Sequence, residues 1–230
     1  MKQLARFILV CMITVLACGC SMATKEPLSK TGFHFDTVIT ITLYDSKDEK
    51  ILNTCFEYCK DFENLVSRTI ETSEISVINH ANGQPVEVSD TTIELLKKGI
   101  EFGELTDGAF DITIAPLSEL WDFKNNPGNV PSESDINEAL SHVNYKNIVI
   151  VGNTVTLKDP DAAIDLGGIA KGYVADQLKE YLLGEGVTSA IINLGGNVLT
   201  VGKKPDGTNF NIGIQKPFDE QNVTITSVSV

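Results

Sequence analysis

Positive charge is scarce in this sequence: 18 Lys and Arg stand against 31 Asp and Glu, giving a net charge of −13. That imbalance argues against nucleic acid as a partner, because phosphate backbones are gripped chiefly by Lys and Arg. Any phosphate held here must rely on a metal ion, on backbone N–H groups or on a few placed lysines. Cysteine offers no disulfide framework. Of five cysteines, three precede Ser21, and the remaining two, Cys55 and Cys59, lie four apart on one face of an expected helix, the spacing of two small core residues. Internal repeats and low-complexity segments are also missing. What the chain has is enough apolar material, 42% of 230 residues, to fill the core of one sizeable domain or two small ones.

The N-terminus reads as an export segment. Lys2 and Arg6 form a basic start, and the apolar run Phe7–Ala17 is eleven residues long, short of the roughly 20 that a bilayer-spanning helix needs. The run leads through small residues into "LACGCS", which resembles the lipobox of bacterial lipoproteins. Cys20, after Gly19 and before Ser21, is the expected lipidation site, and Cys18 is the alternative. An ordinary secretory signal with incidental cysteines is the competing reading. The expected organisation is a lipoprotein signal over residues 1–19, a tether over 20–32 and one domain over 33–230. Loss of the signal removes Lys2 and Arg6 and no acid, so the mature chain is still more negative and should project away from an anionic membrane.

Beyond the tether, "DTVITITLY" alternates Ile39, Ile41 and Leu43 with threonines, the period of a half-buried strand. Ile51, Leu52, Cys55, Phe56, Cys59, Phe62 and Leu65 recur at helical spacing. A second helix is expected over Thr91 to Leu105, with Ile93, Leu96, Ile100 and Phe102 on its apolar side. The stretch "SEISVINHANGQPVEVS" between them is polar and turn-rich. Asn147 to Leu157 reads as a hairpin turning at Gly152 and Asn153. "GYVADQLKEYLLGEG" is a helix with Val174, Leu178 and Leu182 inward, stopped by Gly184 and Gly186. Ser189 to Gly202 is strand, glycine turn, strand. The final "NVTITSVSV" alternates in strand fashion up to Val230 with no turn or cap, so the sequence is expected to be an incomplete piece of a longer product.

Two stretches carry candidate chemistry. "DLGGIAKG" (Asp165 to Gly172) matches neither G-x-x-x-x-G-K-[ST] nor G-x-G-x-x-G, yet paired glycines let backbone approach a ligand and Lys171 opens a helix, where anions meet free N–H groups. A plain strand-to-helix turn explains the same residues. "TDGAFDITIAPLSELWDF" (Thr106 to Phe123) sets Asp111 beside a small-residue turn, and a buried carboxylate needs partners. Trp121 and Phe123 are expected to pack in the core. His34, His80 and His142 are expected to be ordinary loop or surface residues.

Taken in order, "FDTVITITLY", "SEISVIN", "DGAFDITIAPLSELWDF", "IDLGGIAKGYVAD" and "GVTSAIINLGGNVLTVG" resemble the ApbE family of FAD:protein FMN transferases, from about Thr31 to the end. The resemblance implies an α+β, T-fold-like architecture of antiparallel sheets flanked by helices, with an FAD cleft between lobes. It implies Mg²⁺-dependent transfer of FMN from FAD to a threonine or serine hydroxyl of an extracytoplasmic flavoprotein subunit of a membrane redox complex, with release of AMP. Carried over by position, Ala109, Phe110 and Asp111 lie along the FAD, Asp165 and Lys171 contact it with Lys171 facing phosphate, and Gly168 offers its backbone carbonyl to Mg²⁺. Phe35 is a flavin contact where the family commonly has Met-Gly-Thr and this chain has Phe35, Asp36 and Thr37. The resemblance also implies a later His-Ile-x-Asp-Pro segment, followed by an Asp and a Thr, that completes catalysis and metal binding. These 230 residues contain no such segment, so no catalytic residue is assigned. Mg²⁺-dependent hydrolysis of FAD at the same site, and a flavin-binding lipoprotein without activity, are the alternative readings. The expected location is the outer face of the cell membrane, through a lipid anchor.

Overall fold

The computed structural model describes residues 26–218 and 223–230. The expected signal segment and the candidate lipidation sites Cys18 and Cys20 lie outside the described residues. Among the described residues, no helix is long and apolar enough to cross a membrane.

The main sheet has four antiparallel strands in the order β1-β2-β6-β7. Here β1 is Leu28–His34, β2 is Thr37–Leu43, β6 is Ser189–Leu194 and β7 is Asn197–Gly202. The alternation read in β2 holds: Ile39, Ile41 and Leu43 are fully buried and sit opposite Leu194, Ile192 and Ala190, themselves fully buried. The edge strand β1 was not expected, since Leu28–Gly32 fall in the stretch read as a tether. These residues pair with β2 in register from Leu28↔Leu43 to His34↔Thr37. Their apolar content is too low to signal a strand, and it is the ladder to β2 that organises them.

Helix α1 (Glu49–Val66) begins at Asp48, whose carboxylate accepts from the N–H of Lys50. Its buried face, Ile51, Leu52, Cys55, Phe56, Cys59, Phe62 and Val66, packs against β1 and against the later helix α6 (Ala170–Gly184). Each such side chain contributes about 1.5–3 kcal/mol on burial. Gly32 is the point of closest approach, because a Cβ there would lie 2.5 Å from the Phe56 ring. Cys55 and Cys59 are free core residues as read, and burial pushes both thiols up to about 12. In α6, Val174, Leu178 and Leu182 face inward as expected.

A second layer is built from α2 (Glu74–Asn79), the sheet β3-β5-β4, and α3 (Asp90–Leu105). The sheet comprises β3 (Val86–Glu87), β4 (Ile148–Val151) and β5 (Thr154–Leu157), the last two forming the hairpin expected at Gly152–Asn153. Helix α2 lies in the stretch read as polar and turn-rich. Ser73 caps it, accepting from the N–H of Ser76, and it buries Ile75 and Ile78. In α3 the inward face differs from the reading. Leu95, Gly99 and Gly103 are buried with Ile93 and Leu96, whereas Phe102 is 47% exposed. The glycines decide this, since a Cβ at Gly99 would lie 2.6 Å from Ile112 and one at Gly103 2.8 Å from Tyr145.

Helices α4 (Ala115–Trp121) and α5 (Glu133–Ser141) pack on each other at the surface. Trp121 and Phe123 do not enter the core. Asp122 takes a left-handed conformation (φ 39°), Phe123 is 70% exposed, and the two rings stack on each other at 5.5 Å. The hairpin of β8 (Asn211–Gln215) and β9 (Thr224–Ser229) closes the chain, with Phe210 buried beside it and β9 exposed throughout.

Candidate functional site

The segment Ala163 to Gly168 lies between two supports. On one side the side chain of Asn79, the last residue of α2, donates to the Ile164 carbonyl at 2.9 Å and accepts from the Ile164 N–H at 2.7 Å. On the other, Asp165 N–H donates to the Ile112 carbonyl at 2.8 Å and Ala163 bridges Ile114 in parallel. A side-chain amide thus replaces a neighbouring strand. The chain then turns through Gly167 and Gly168 into α6.

Asp165 has both carboxylate oxygens in use. Oδ1 accepts from the Gly167 N–H at 2.8 Å, and Oδ2 forms an ion pair with Arg68 Nε at 3.0 Å. Arg68 follows Ser67, the residue that ends α1, and its Nη1 donates to Glu119 of α4 at 3.0 Å. Glu119 is 63% exposed, so that arm is worth about 0–1 kcal/mol.

Two cavities share this segment. The first, about 400 Å³, is lined among others by Phe35, Glu63, Arg68, Asp165, Gly167 and Lys171. The second, about 570 Å³, is lined among others by Ala109, Phe110, Asp111, Asp165, Gly167 and Gly168. Asp165 and Gly167 therefore form a common wall. The residues singled out in the sequence fall on this pair of cavities: Phe35 and Lys171 on the first, Ala109, Phe110, Asp111 and Gly168 on the second, Asp165 on both. Lys171 is the second residue of α6 and has no carboxylate partner among the described residues.

Phe35 and Asp36 form the tight turn between β1 and β2, both at positive φ (55° and 56°). Neither is glycine, so the turn is strained. Glu63 holds it: Oε1 accepts from the Phe35 N–H at 2.7 Å, and Oε2 bonds His34 Nδ1 at 3.0 Å. His34 is thus not merely a loop residue but part of the clamp on the first cavity's lip.

Asp111, which lines the second cavity, has its carboxylate bonded within the protein. Its Oδ1 accepts from the N–H and the hydroxyl of Thr113 at 2.8 and 2.7 Å, and its Oδ2 accepts from the Tyr145 N–H at 2.8 Å. Thr113 Oγ1 in turn accepts from the Asn144 N–H. The carboxylate is engaged by the protein on both oxygens and fastens Asp111–Thr113 to the start of the Tyr145–Asn147 turn. Its neighbour Phe110 packs over Gly168, where a Cβ would lie 2.8 Å from Cε2 of the ring. Gly168 is exposed, and among the described residues nothing donates to its carbonyl oxygen. That free hard oxygen fits one ligand of a Mg²⁺ ion that keeps waters and rides on phosphate.

A distinct cluster joins His142, the residue ending α5, to Asp159 at 2.8 Å, with Asp161 close by. The hydrogen bond to Asp159 raises the His142 pKa. Burial pushes the Asp159 carboxyl up, but the bonds from His142 and the Asp161 N–H outweigh it and leave it below its usual range.

Sequence reading missed Arg68, Glu63, Asn79 and Glu119. The signal for Arg68 was present: apart from Arg6 it is the chain's sole arginine.

The model of the ApbE family matches residues 35–230. A FAD:protein FMN transferase of Klebsiella pneumoniae is 35% identical over 212 residues, which span 91% of this chain and 65% of that protein. One from Vibrio cholerae is 32% identical over 178 residues, 76% of this chain and 53% of that protein. The chain thus spans about two thirds or less of the length of these relatives. Among solved structures, the ApbE protein of Thermotoga maritima superposes with a TM-score of 0.81 at 32% identity, covering 89% of this chain and 68% of that one. The H257G mutant of the Vibrio cholerae flavin transferase ApbE gives 0.76 at 29% identity, covering 85% and 69%.

Proposed function

The chain belongs to the ApbE family, and from that premise we propose that it takes part in Mg²⁺-dependent transfer of FMN from FAD to a threonine or serine hydroxyl of an extracytoplasmic flavoprotein subunit. The observation that carries the reading is the pair of cavities with a common wall at Asp165 and Gly167. A dinucleotide has two bulky ends joined by a pyrophosphate. Two cavities meeting at a common wall, with Arg68 and Lys171 lining the first, match that shape and charge.

In the reaction the acceptor hydroxyl oxygen bonds the phosphorus on the riboflavin side of the pyrophosphate. The bond from that phosphorus to the bridging oxygen breaks, AMP leaves with that oxygen, and the hydroxyl proton passes to solvent or a base. Gly168 would offer its carbonyl oxygen to a Mg²⁺ ion, which would supply neutralisation of the charge that builds on the pyrophosphate. Lys171 offers an unpaired ammonium at a helix N-terminus, and Arg68 a guanidinium. Phe35 and Phe110 supply apolar surface, one to each cavity, for the ring systems. A domain that begins with β1 at Leu28, exported by residues 1–19 and anchored at Cys20, is supported by the basic start, the apolar run and the "LACGCS" sequence. It places the site outside the membrane, facing subunits of a membrane redox complex.

Mass spectrometry of a threonine-containing flavinylation peptide, incubated with the chain, FAD and Mg²⁺, tests the proposal. The expected result is one esterified FMN per peptide, reduced at least about tenfold by Lys171→Ala. Free FMN and AMP with no adduct would make the chain a hydrolase, and unchanged FAD would overturn both.

A further inference from the structure

Apart from Arg6, Arg68 is the sole arginine of the sequence, and its position in the first cavity is built rather than incidental. Its guanidinium carries five N–H donors in a fixed fork. Nη1 donates to Glu119 and Nε faces Asp165 Oδ2 at 3.0 Å as an ion pair, which leaves the two Nη2 hydrogens and the second on Nη1 for a ligand.

The two carboxylates are not equivalent. Asp165 is 22% exposed, its other oxygen is fixed by the Gly167 N–H, and its own backbone is held by Ile112. Glu119 is 63% exposed, and among the described residues its side chain bonds Arg68 alone. Asp165 is therefore a rigid mount, and Glu119 a contact that solvent already weakens. An anion entering the first cavity competes with Glu119 alone.

We infer that Arg68 is a phosphate-gripping residue of the dinucleotide site, mounted on Asp165, and that Glu119 occupies the phosphate's place on the fork until ligand arrives. This rests on the reading of the cavities as an FAD site. It changes the role of Asp165, which acts on the ligand through Arg68 and is a positioning residue. It also requires arginine, since a lysine ammonium carries the charge but cannot hold Asp165 and a phosphate oxygen in one plane.

Titration of the full chain with FAD, and separately with riboflavin, which has the ring system and no phosphate, tests this. Arg68→Ala is expected to weaken FAD at least about tenfold and to leave riboflavin unchanged, with Arg68→Lys recovering part of the loss. Asp165→Asn keeps an acceptor for Gly167 and removes the charge facing Arg68. It is expected to weaken FAD in the parent chain and to add nothing in the Arg68→Ala background. Glu119→Gln is expected to tighten FAD by up to about fivefold.

Equal loss of FAD and riboflavin in Arg68→Ala would show a structural role and overturn the inference. So would unchanged FAD affinity, in which case the dinucleotide reading survives without Arg68. An Asp165→Asn effect of full size in the Arg68→Ala background would put Asp165 on the ligand itself and overturn the mount. A parent chain that binds no FAD would sink the functional reading, and this inference with it.

Discussion

Asp111 and Asp165 look alike in the sequence, each an acid beside small residues, and the structure treats them differently. Asp111 lines the second cavity, but its carboxylate is sealed by protein donors: it accepts three hydrogen bonds, two from Thr113 and one from the Tyr145 N–H. Asp165 is open: one oxygen holds a turn and the other holds a guanidinium on the wall of two cavities. An acid satisfied by main-chain groups fixes the fold, and an acid satisfied by a side-chain cation leaves that cation free to take a second anion. Position along the chain does not separate these roles, but partner type does.

The largest effect that could break this contrast is on stability. Asp111→Ala leaves the Thr113 N–H, the Thr113 hydroxyl and the Tyr145 N–H without their acceptor, with Thr113 fully buried. A loss of about 3 kcal/mol is expected, read as a lower urea midpoint. Asp165→Ala is expected to cost about 1 kcal/mol or less, because its groups remain open to water. Equal losses would erase the distinction.

Next in size is Gly168→Val. The side chain would meet the Phe110 ring and narrow the second cavity, so FAD affinity is expected to fall by about 1–3 kcal/mol, with the urea midpoint little changed because Gly168 is exposed. An unchanged affinity would detach the second cavity from ligand binding.

A smaller effect concerns pH and belongs to the sealed side, where His142 precedes the Val143–Tyr145 stretch that Asp111 holds. The native His142 pKa is raised from 6.5 by its hydrogen bond to Asp159. Its contribution to stability is therefore full below pH 6.5 and fades as the pH rises through the raised native value. His142→Gln is expected to flatten the fall in thermal midpoint across that window, without changing the pH dependence of FAD binding. The smallest effect has the opposite sign: Asp36→Gly relieves a left-handed residue at φ 56° and is expected to stabilise the chain by about 0.5 kcal/mol.

Much of the fold could be read from periodicity. The β2 alternation, the α1 and α6 stripes and the two hairpins follow directly, because in each the buried face repeats at the element's own period. The readings that failed depended on long-range contacts. β1 is a strand because β2 offers it a ladder. Phe102 points outward because Gly99 and Gly103 admit Ile112 and Tyr145 on the other face. Trp121 and Phe123 stay at the surface because Asp122 reverses the chain between them. At the site, the "DLGGIAKG" motif falls on the wall shared by the two cavities. The roles of Asn79, Glu63 and Arg68 could not be found that way, although Asn79 ends the "SEISVIN" stretch, since each acts across 28 or more residues on groups its neighbours in sequence do not reveal.

The most direct measurement is the thermal midpoint with and without saturating FAD, for the parent chain, Asp111→Asn and Asp165→Asn. The account predicts a midpoint that falls in Asp111→Asn without FAD but still rises on adding FAD as in the parent. In Asp165→Asn the midpoint should stay near the parent's without FAD while the FAD-induced rise shrinks. A normal ligand-free midpoint in Asp111→Asn together with loss of its FAD response would contradict the account and make Asp111 the ligand-facing acid.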